Sequence, residues 1–352
     1  MKVLVGMSGG IDSSVAAYLL KKEGYDVAGI TMLIWRADSP YPVPASPGSC
    51  YNPDKSKDLE NIKKVSEIIG IEHHIVDCSA LFESAVLDNF RSEYMSGHTP
   101  NPCIWCNQKV KFGAMVEYAH TILDFDYFAT GHYAKVERLA TGRYALRKAR
   151  DEKKDQSYFL SRLSQSQLSA VIFPLGDYLK TEVREIDEAM GFHEKGERES
   201  QDFYGGDYTD LLSAEDKDGE IVTEDGRVIG HHKGFWHYTI GQRKGLGIAY
   251  SEALYVIALD PENNRVIVGT EPSTHNRVIE ACDVVYGAAE GFDAEKMYSV
   301  KIRSMATAAS ANVEKTANGF KVRFLDYVRG AAPGQSAVVY DSDMVVASGI
   351  IT

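Results

Sequence analysis

Apolar and polar positions alternate between two rhythms along the first half of the chain. Lys2 to Met7, Val27 to Leu33, His73 to Asp77 and Tyr127 to Thr130 are short runs of strand length, the first two apolar almost throughout, as in strands buried on both faces. Between and beside them, Ser13 to Lys22, Ser56 to Ile69, Leu81 to Tyr94 and Lys109 to Leu123 carry apolar residues at helical spacing. The alternation predicts an α/β fold with a doubly wound parallel sheet, Rossmann-like, with ligand at the carboxyl ends of its strands. After about Ser200 the helical period gives way to short β-like runs broken by Asp218-Gly219, Asp225-Gly226, Asn263-Asn264 and Asn318-Gly319. Tyr298 to Ile351 reads as four or five strands closing a small barrel. The expected division is a catalytic α/β domain over 1–202, a small mostly β middle domain over 203–273 and a C-terminal β-barrel over 274–352.

Composition adjusts this picture only where it bears on partners. The 352 residues are too many for one core, and 44% apolar with 25% charged is ordinary globular composition. Fifty acidic against 38 basic residues give a net charge of −12, which argues against a protein that holds nucleic acid by bulk positive charge. No apolar run reaches the roughly 18 residues of a membrane span, and no signal-peptide pattern precedes Met1, so a soluble cytoplasmic protein is expected. Cys50, Cys78, Cys103, Cys106 and Cys282 are an odd set in a long chain, a poor disulfide framework, so the question is which thiols do chemistry.

The strongest motif is Ser8-Gly9-Gly10-Ile11-Asp12-Ser13-Ser14, between the first strand and the first helix. Two glycines allow a tight turn that brings backbone N–H groups against phosphate oxygens, the helix start adds partial positive charge, and Asp12 can hold magnesium. It is neither a Walker A loop nor G-x-G-x-x-G. A plain capped helix after a turn is the alternative, since Ser and Asp favour N-cap positions. The motif resembles the PP-loop of the ATP-pyrophosphatase superfamily, which implies cleavage of ATP between its α and β phosphates to adenylate a substrate oxygen.

Thr99-Pro100-Asn101-Pro102-Cys103-Ile104-Trp105-Cys106-Asn107-Gln108 precedes the helix expected from Lys109. A C-x-x-C pair at a helix N-terminus near Lys109 and Lys111 predicts thiols of lowered pKa, suited to sulfur chemistry. A zinc half-site and a pair of buried, inert thiols are the alternatives, but no second C-x-x-C or H-x₃₋₅-H supplies zinc's remaining ligands.

With Thr130-Gly131-His132, Lys154 to Leu160 (KDQSYFL), Tyr238 to Gly247 (YTIGQRKGLG), Ala332 to Gln335 (APGQ) and Ser348 to Ile351, these segments resemble the bacterial tRNA-uridine 2-sulfurtransferases, in order over nearly the full length. The resemblance implies ATP-dependent 2-thiolation of the wobble uridine of lysine, glutamate and glutamine tRNAs, with ATP and Mg2+ as cofactors. It also implies a sulfur donor: a persulfide-carrying relay protein, a cysteine desulfurase or sulfide. Carried over, Gly6, Met7, Ser8, Gly9, Gly10, Ile11, Asp12, Ser13, Met32 and Gly131 contact ATP, and Cys106 is the first catalytic cysteine. Asn101, Pro102 and Cys103 face the target base. His132, Lys154, Asp155, Gln156, Arg303, Ser304 and Gln335 touch tRNA.

Two residues depart from that family. Cys103 stands where the family has Asp, and Tyr204 stands where its second catalytic cysteine falls, in Ser200-Gln201-Asp202-Phe203-Tyr204. Three explanations are open: a 4Fe-4S cluster on Cys103 and Cys106 with Cys50 or Cys78 as third ligand; Cys103 as the partner thiol of a persulfide; or a tRNA-binding protein that has lost sulfur transfer. A PP-loop amide or C–N ligase is the competing enzyme class and would not need the C-x-x-C. Elsewhere, Arg243 and Lys244 are candidate phosphate contacts, Trp236 or Tyr238 could stack on a base, and Lys301 and Arg303 are expected on one strand. His231 and His232 read as solvated, and Cys282 as core.

Overall fold

The computed structural model describes residues 1–43, 49–194 and 203–352. The chain separates into two compact units: 1–86, 102–207 and 343–345 form the first, and 87–101, 208–342 and 346–352 the second.

The first unit is built on a parallel sheet. Strands β1 (Lys2–Gly6), β2 (Asp26–Leu33), β3 (Glu72–Asp77), β4 (Tyr127–Thr130) and β7 (Val171–Ile172) lie in the order β3-β2-β1-β4-β7, and each neighbouring pair is parallel. The order reverses at β1, because the chain runs outward through β2 and β3 and then returns to the other side of β1 as β4. A ligand crevice belongs beyond the carboxyl end of a strand at such a reversal. Val3, Val5, Val15, Ala16, Ala17, Leu19, Leu20, Ile62 and Val65 pack β1 against helix α1 (Ile11–Lys22) and the helix Ser56–Ile69. Each fully buried Val or Leu contributes roughly 1.5–3 kcal/mol, so this core fixes where β1 ends. An antiparallel hairpin, β5 (Ala134–Arg138) with β6 (Tyr144–Lys148), follows β4.

Two expected helices differ from the pattern reading. The segment from Ser79 to Met95 is broken by a π-helical stretch at Glu83–Leu87, and the helix expected from Lys109 begins at Pro102, continuing through a π-helical stretch at Cys106–Ala114 into Met115–Ile122. Pro102 starts it because proline lacks the N–H that a first turn leaves unpaired. The C-x-x-C therefore lies within the helix and not ahead of it.

The second unit is mostly β. Strands β8 (Gly219–Thr223), β9 (Val228–His232), β10 (Tyr255–Asp260) and β11 (Arg265–Gly269) form a sheet ordered β10-β11-β8-β9. Strands β12 (His275–Tyr286), β13 (Tyr298–Lys301), β14 (Ala309–Lys315), β15 (Gly319–Arg329), β16 (Ser336–Asp341) and β17 (Met344–Ile351) follow in the order β12-β15-β14-β13-β16-β17. Pairing of β12 with β17, Ala281 opposite Ile351 and Tyr286 opposite Ala347, closes them into a barrel with no free edge. Val300, Ala311, Val313, Phe320, Val322, Ala337 and Val339 fill it. Cys282 is half-buried on the closing strand.

Gly319 shows how tightly the barrel closes: a Cβ there would lie 1.9 Å from the Ala281 carbonyl oxygen. Gly319→Ala is expected to destabilise the barrel by about 1–3 kcal/mol in urea titration; an unchanged midpoint would show that β12 and β15 part without cost.

Candidate functional site

β1 runs directly into the glycine turn. Gly9 has φ +85°, a left-handed conformation that favours glycine, and a Cβ on it would lie 2.8 Å from the Asp58 carbonyl oxygen. Ser13 and Ser14 donate their hydroxyls back to the Gly10 carbonyl at 3.0 and 3.1 Å, and the Ser13 hydroxyl accepts the Ser8 N–H at 3.2 Å. Gly10 is the N-cap of α1 and brings no side-chain cap to its first turn, where the helix N–H groups and dipole favour an anion.

Two further groups meet this turn. Gly131, just beyond β4, lies so close that a Cβ would be 2.6 Å from the Asp12 carbonyl carbon and 2.7 Å from the Ser13 nitrogen. Asp12 accepts the Tyr133 hydroxyl at 2.9 Å and the Lys180 ammonium at 2.7 Å. The sequence points to Gly131 at the nucleotide but not to Tyr133 or Lys180. Lys180 leaves a signal nonetheless, as a lysine opening the acid-rich helix Lys180–Met190, where the helix dipole disfavours a cation. It is 7% exposed, so its charge is committed to this site. Met32 is half-buried near the carboxyl end of β2, the neighbour of β1 in the sheet.

The thiols gather, with a change in their expected ionisation. Burial pushes the Cys106 thiol up to about 11; Lys111 lowers it, but Cys50 and Cys78 act on it in the opposite direction. Cys78 is likewise pushed up to about 11 by burial and by Asp77. The expectation of a lowered Cys106 pKa is thus reversed, because Cys106 sits inside the helical segment, where loss of solvation outweighs one lysine. Cys50 is exposed and Cys103 half-buried. Among the described residues no three Cys, His or carboxylate side chains are arranged to hold a single metal ion.

Tyr204 occupies no open site. It is buried, it bridges to Tyr51 as a short parallel pair, and its ring lies 6.4 Å from that of Tyr51. Ser200, Gln201 and Asp202 lie outside the described residues.

The chain matches three family models: the tRNA methyl transferase HUP domain over 1–204, the tRNA methyl transferase PRC-barrel domain over 212–270 and the aminomethyltransferase beta-barrel domain over 277–351. It is 42% identical to the tRNA-specific 2-thiouridylase MnmA of Endomicrobium trichonymphae over 356 residues, covering 100% of this chain and 99% of that protein. MnmA 1 of Caldanaerobacter subterraneus is 42% identical (99% and 97% covered), and MnmA of Clostridioides difficile 40% (99% and 98%). The chain belongs to the tRNA-specific 2-thiouridylase family.

The residues carried over from that family as tRNA contacts differ in how they present themselves. His132 is half-buried: its Nδ1 is 2.7 Å from the Thr130 hydroxyl, Phe112 and Phe173 flank its ring, and desolvation with help from Lys111 holds its pKa well below the ordinary value, so it is neutral. Asp155 and Gln156 turn inward. Asp155 accepts from the Ala149 N–H and the Ser157 hydroxyl, while Gln156 takes the Tyr133 N–H at 2.9 Å. Lys154 is half-buried in the same loop. In the second unit, Gln335 is buried and donates to the Thr99 carbonyl at 2.7 Å, fixing the backbone that leads to Asn101. Arg303 lies beyond the end of β13, not on the strand with Lys301, and donates to the Ile240 carbonyl at 2.8 Å; Ser304 follows it half-buried. Arg243 and Lys244 are exposed, Trp236 is buried against Phe235, and His232 is buried with its Nδ1 accepting the Gly234 N–H. Trp236 is therefore not a stacking surface, and only His231 of the histidine pair is solvated.

Gly131→Ala would drive a methyl group into the Asp12–Ser13 backbone. It is expected to weaken ATP binding at least about tenfold, ~1.4 kcal/mol, by calorimetry with the circular dichroism unchanged. Wild-type affinity would mean that this contact does not shape the nucleotide site.

Proposed function

We propose that this protein is an ATP-dependent tRNA-uridine 2-sulfurtransferase acting on C2 of the wobble uridine of lysine, glutamate and glutamine tRNAs. The observation that carries the reading is the pairing of a phosphate-binding turn with a group of thiols in a chain about 40% identical to 2-thiouridylases along its whole length. The backbone of Gly6 to Ser13, with Met32 and Gly131, binds ATP; Asp12, paired with Lys180 at 2.7 Å, would hold Mg2+, which would supply charge against the phosphates. The uracil C2 oxygen attacks the α-phosphorus and pyrophosphate leaves. A sulfur nucleophile then adds to C2, and AMP departs with the former carbonyl oxygen. Asn101, Pro102 and Cys103 face the base. Neutral His132 and the loop of Lys154, Asp155 and Gln156 are the candidate tRNA contacts of the first unit, and Arg303, Ser304 and Gln335 are those of the second.

Cys106 and Cys103 handle the sulfur, and two routes are open to them. A 4Fe-4S cluster held by Cys103 and Cys106 with Cys50 or Cys78 would bind the donated sulfur at an iron that lacks a protein ligand. Cys50 and Cys78 both act on the Cys106 thiol, and a cluster takes an all-thiolate donor set spread wider than that of one ion. In the other, Cys106 carries a persulfide whose outer sulfur bonds to C2 as AMP leaves; Cys103, one helical turn earlier, then attacks the Cys106 sulfur, which breaks the S–S bond, leaves the outer sulfur on the uridine and forms a Cys103–Cys106 disulfide that a cellular dithiol reduces. No step here depends on the cluster. A relay protein bearing a persulfide or a cysteine desulfurase, both at the persulfide oxidation level, would load Cys106 in the second route, whereas free sulfide serves only the cluster route; the cytoplasm, where ATP and tRNA are found, is the expected compartment.

Mass spectrometry of wobble uridine, after incubation of tRNA with the protein, ATP and either a persulfide donor or sulfide, is expected to show 2-thiouridine, lost in Cys106→Ala. No product from wild-type protein under either condition would overturn the reading, and product from Cys106→Ala would favour a PP-loop chemistry without thiols. Iron and sulfide assay after anaerobic purification separates the two sulfur routes: iron-free protein that still thiolates tRNA excludes the cluster.

A further inference from the structure

Behind the phosphate-binding turn, on the side of the helix Lys180–Met190, lies a buried pair that the proposed sulfur transfer does not use. The His193 side chain is 0% exposed and that of Asp187 4%. His193 Nδ1 is 2.7 Å from an Asp187 carboxylate oxygen, and its Nε2 is 2.9 Å from the Gly9 carbonyl oxygen. A carbonyl only accepts hydrogen bonds, and so does an ionised carboxylate. Both contacts are satisfied together when both ring nitrogens carry protons.

We infer that His193, held as the imidazolium by Asp187, is a positioning residue of the nucleotide turn: it fixes the Gly9–Gly10 peptide so that the Gly10 N–H points into the phosphate site. This rests on the proposed binding of ATP at that turn. The geometry comes from the planar trans peptide, in which the Gly9 C=O and the Gly10 N–H belong to one unit and point in opposite directions. Pinning the oxygen inward turns the N–H outward, and a cationic donor on the oxygen polarises that N–H further. Gly9 needs such a restraint because glycine is the residue with the most freedom to leave its φ of +85°. The Gly10 carbonyl is pinned inward as well, by Ser13 and Ser14. Two successive carbonyls are thus withdrawn from a site meant for an anion.

Among the described residues, the neighbouring charges have partners of their own. On the helix Ser56–Ile69, the Lys64 ammonium donates to the Gly191 and Phe192 carbonyls at 2.9 and 3.0 Å, and Asp58 pairs with Lys55 at 3.1 Å. Asp12, on the turn's own helix, pairs with Lys180, and Glu194 comes after His193 in the chain. Among the described residues, Asp187 is the carboxylate hydrogen-bonded to the imidazole.

The test uses the full-length protein. In a two-bond ¹H–¹⁵N spectrum, with the ring assigned by its absence in His193→Gln, both His193 nitrogens are expected to be protonated at pH 7.5. Calorimetry with magnesium-ATP is expected to give a wild-type affinity that is flat from pH 6.5 to 8.5. Asp187→Asn, which keeps a side chain of the same shape, is expected to lose about tenfold over that range as its imidazole deprotonates at Nδ1: the Nε2–H still reaches the Gly9 carbonyl, but the positive charge that polarises the Gly10 N–H is gone. A purely structural role would lower affinity equally at every pH. A neutral ring at pH 7.5, or an Asp187→Asn profile as flat as the wild type, overturns the assignment. A doubly protonated ring in a protein that binds no ATP at any pH overturns the nucleotide reading alone.

Discussion

The first unit depends on β1 ending, in the middle of a parallel sheet, in a turn with no side chain to fill it. β1 is hydrogen-bonded to β2 on one side and β4 on the other, so its carboxyl end cannot drift sideways. Its core contacts set how far it reaches. The turn beyond it is backbone under close constraint: Gly9 in a left-handed conformation, Gly10 capping α1 without a side chain, and Gly131 brought by β4 against the first turn of that helix. At Gly9 and Gly131 another backbone segment passes where a Cβ would be. The result is a small concave surface of amides at the positive end of a helix, which suits phosphate by shape and by charge.

The acidic balance of the chain fits this economy. A net charge of −12 excludes a surface that attracts nucleic acid by its bulk field. The family nevertheless acts on tRNA, so recognition must lie with placed residues. Several of the proposed contacts would act through the backbone they hold: Gln335 fixes the Thr99 carbonyl, Arg303 the Ile240 carbonyl, and Gln156 the Tyr133 amide. Loops set in this way present a folded RNA with a defined shape, and shape is what proteins read on helical RNA.

The parallel sheet and the barrel were legible in the sequence because both rest on periodicity. The helix Ser56–Ile69 and the strand Tyr127–Thr130 fall where the apolar spacing puts them. The thiol segment was not legible in the same way. Cys103 and Cys106 stand out by spacing, but their ionisation depends on whether the helix starts before or after them, and Pro102 decides that against the expectation from Lys109. Tyr133, Lys180, Asp187 and His193 escape notice for a different reason. Each is an ordinary residue in an ordinary local context, and only the fold brings it to the phosphate turn across more than a hundred residues of chain, as the Asp12–Lys180 and Gly9–His193 contacts do.

Tyr204 gives the thiol group its particular constraint. In the related sulfurtransferases the second cysteine falls at this point of the sequence, but here the side chain is a buried ring that pairs with Tyr51 and lies beside Phe203. The Tyr51 N–H donates to the Phe203 carbonyl at 2.8 Å, so the two segments are fastened by backbone as well as by rings. A thiol restored at 204 would have neither the volume to fill that space nor solvent to ionise in. The fastening also places Cys50, the neighbour of Tyr51, beside the segment where the missing cysteine would be. Position 204 is thus given to packing, and the proposed sulfur transfer would fall to thiols held by the loop after β2 and by the helix that Pro102 begins.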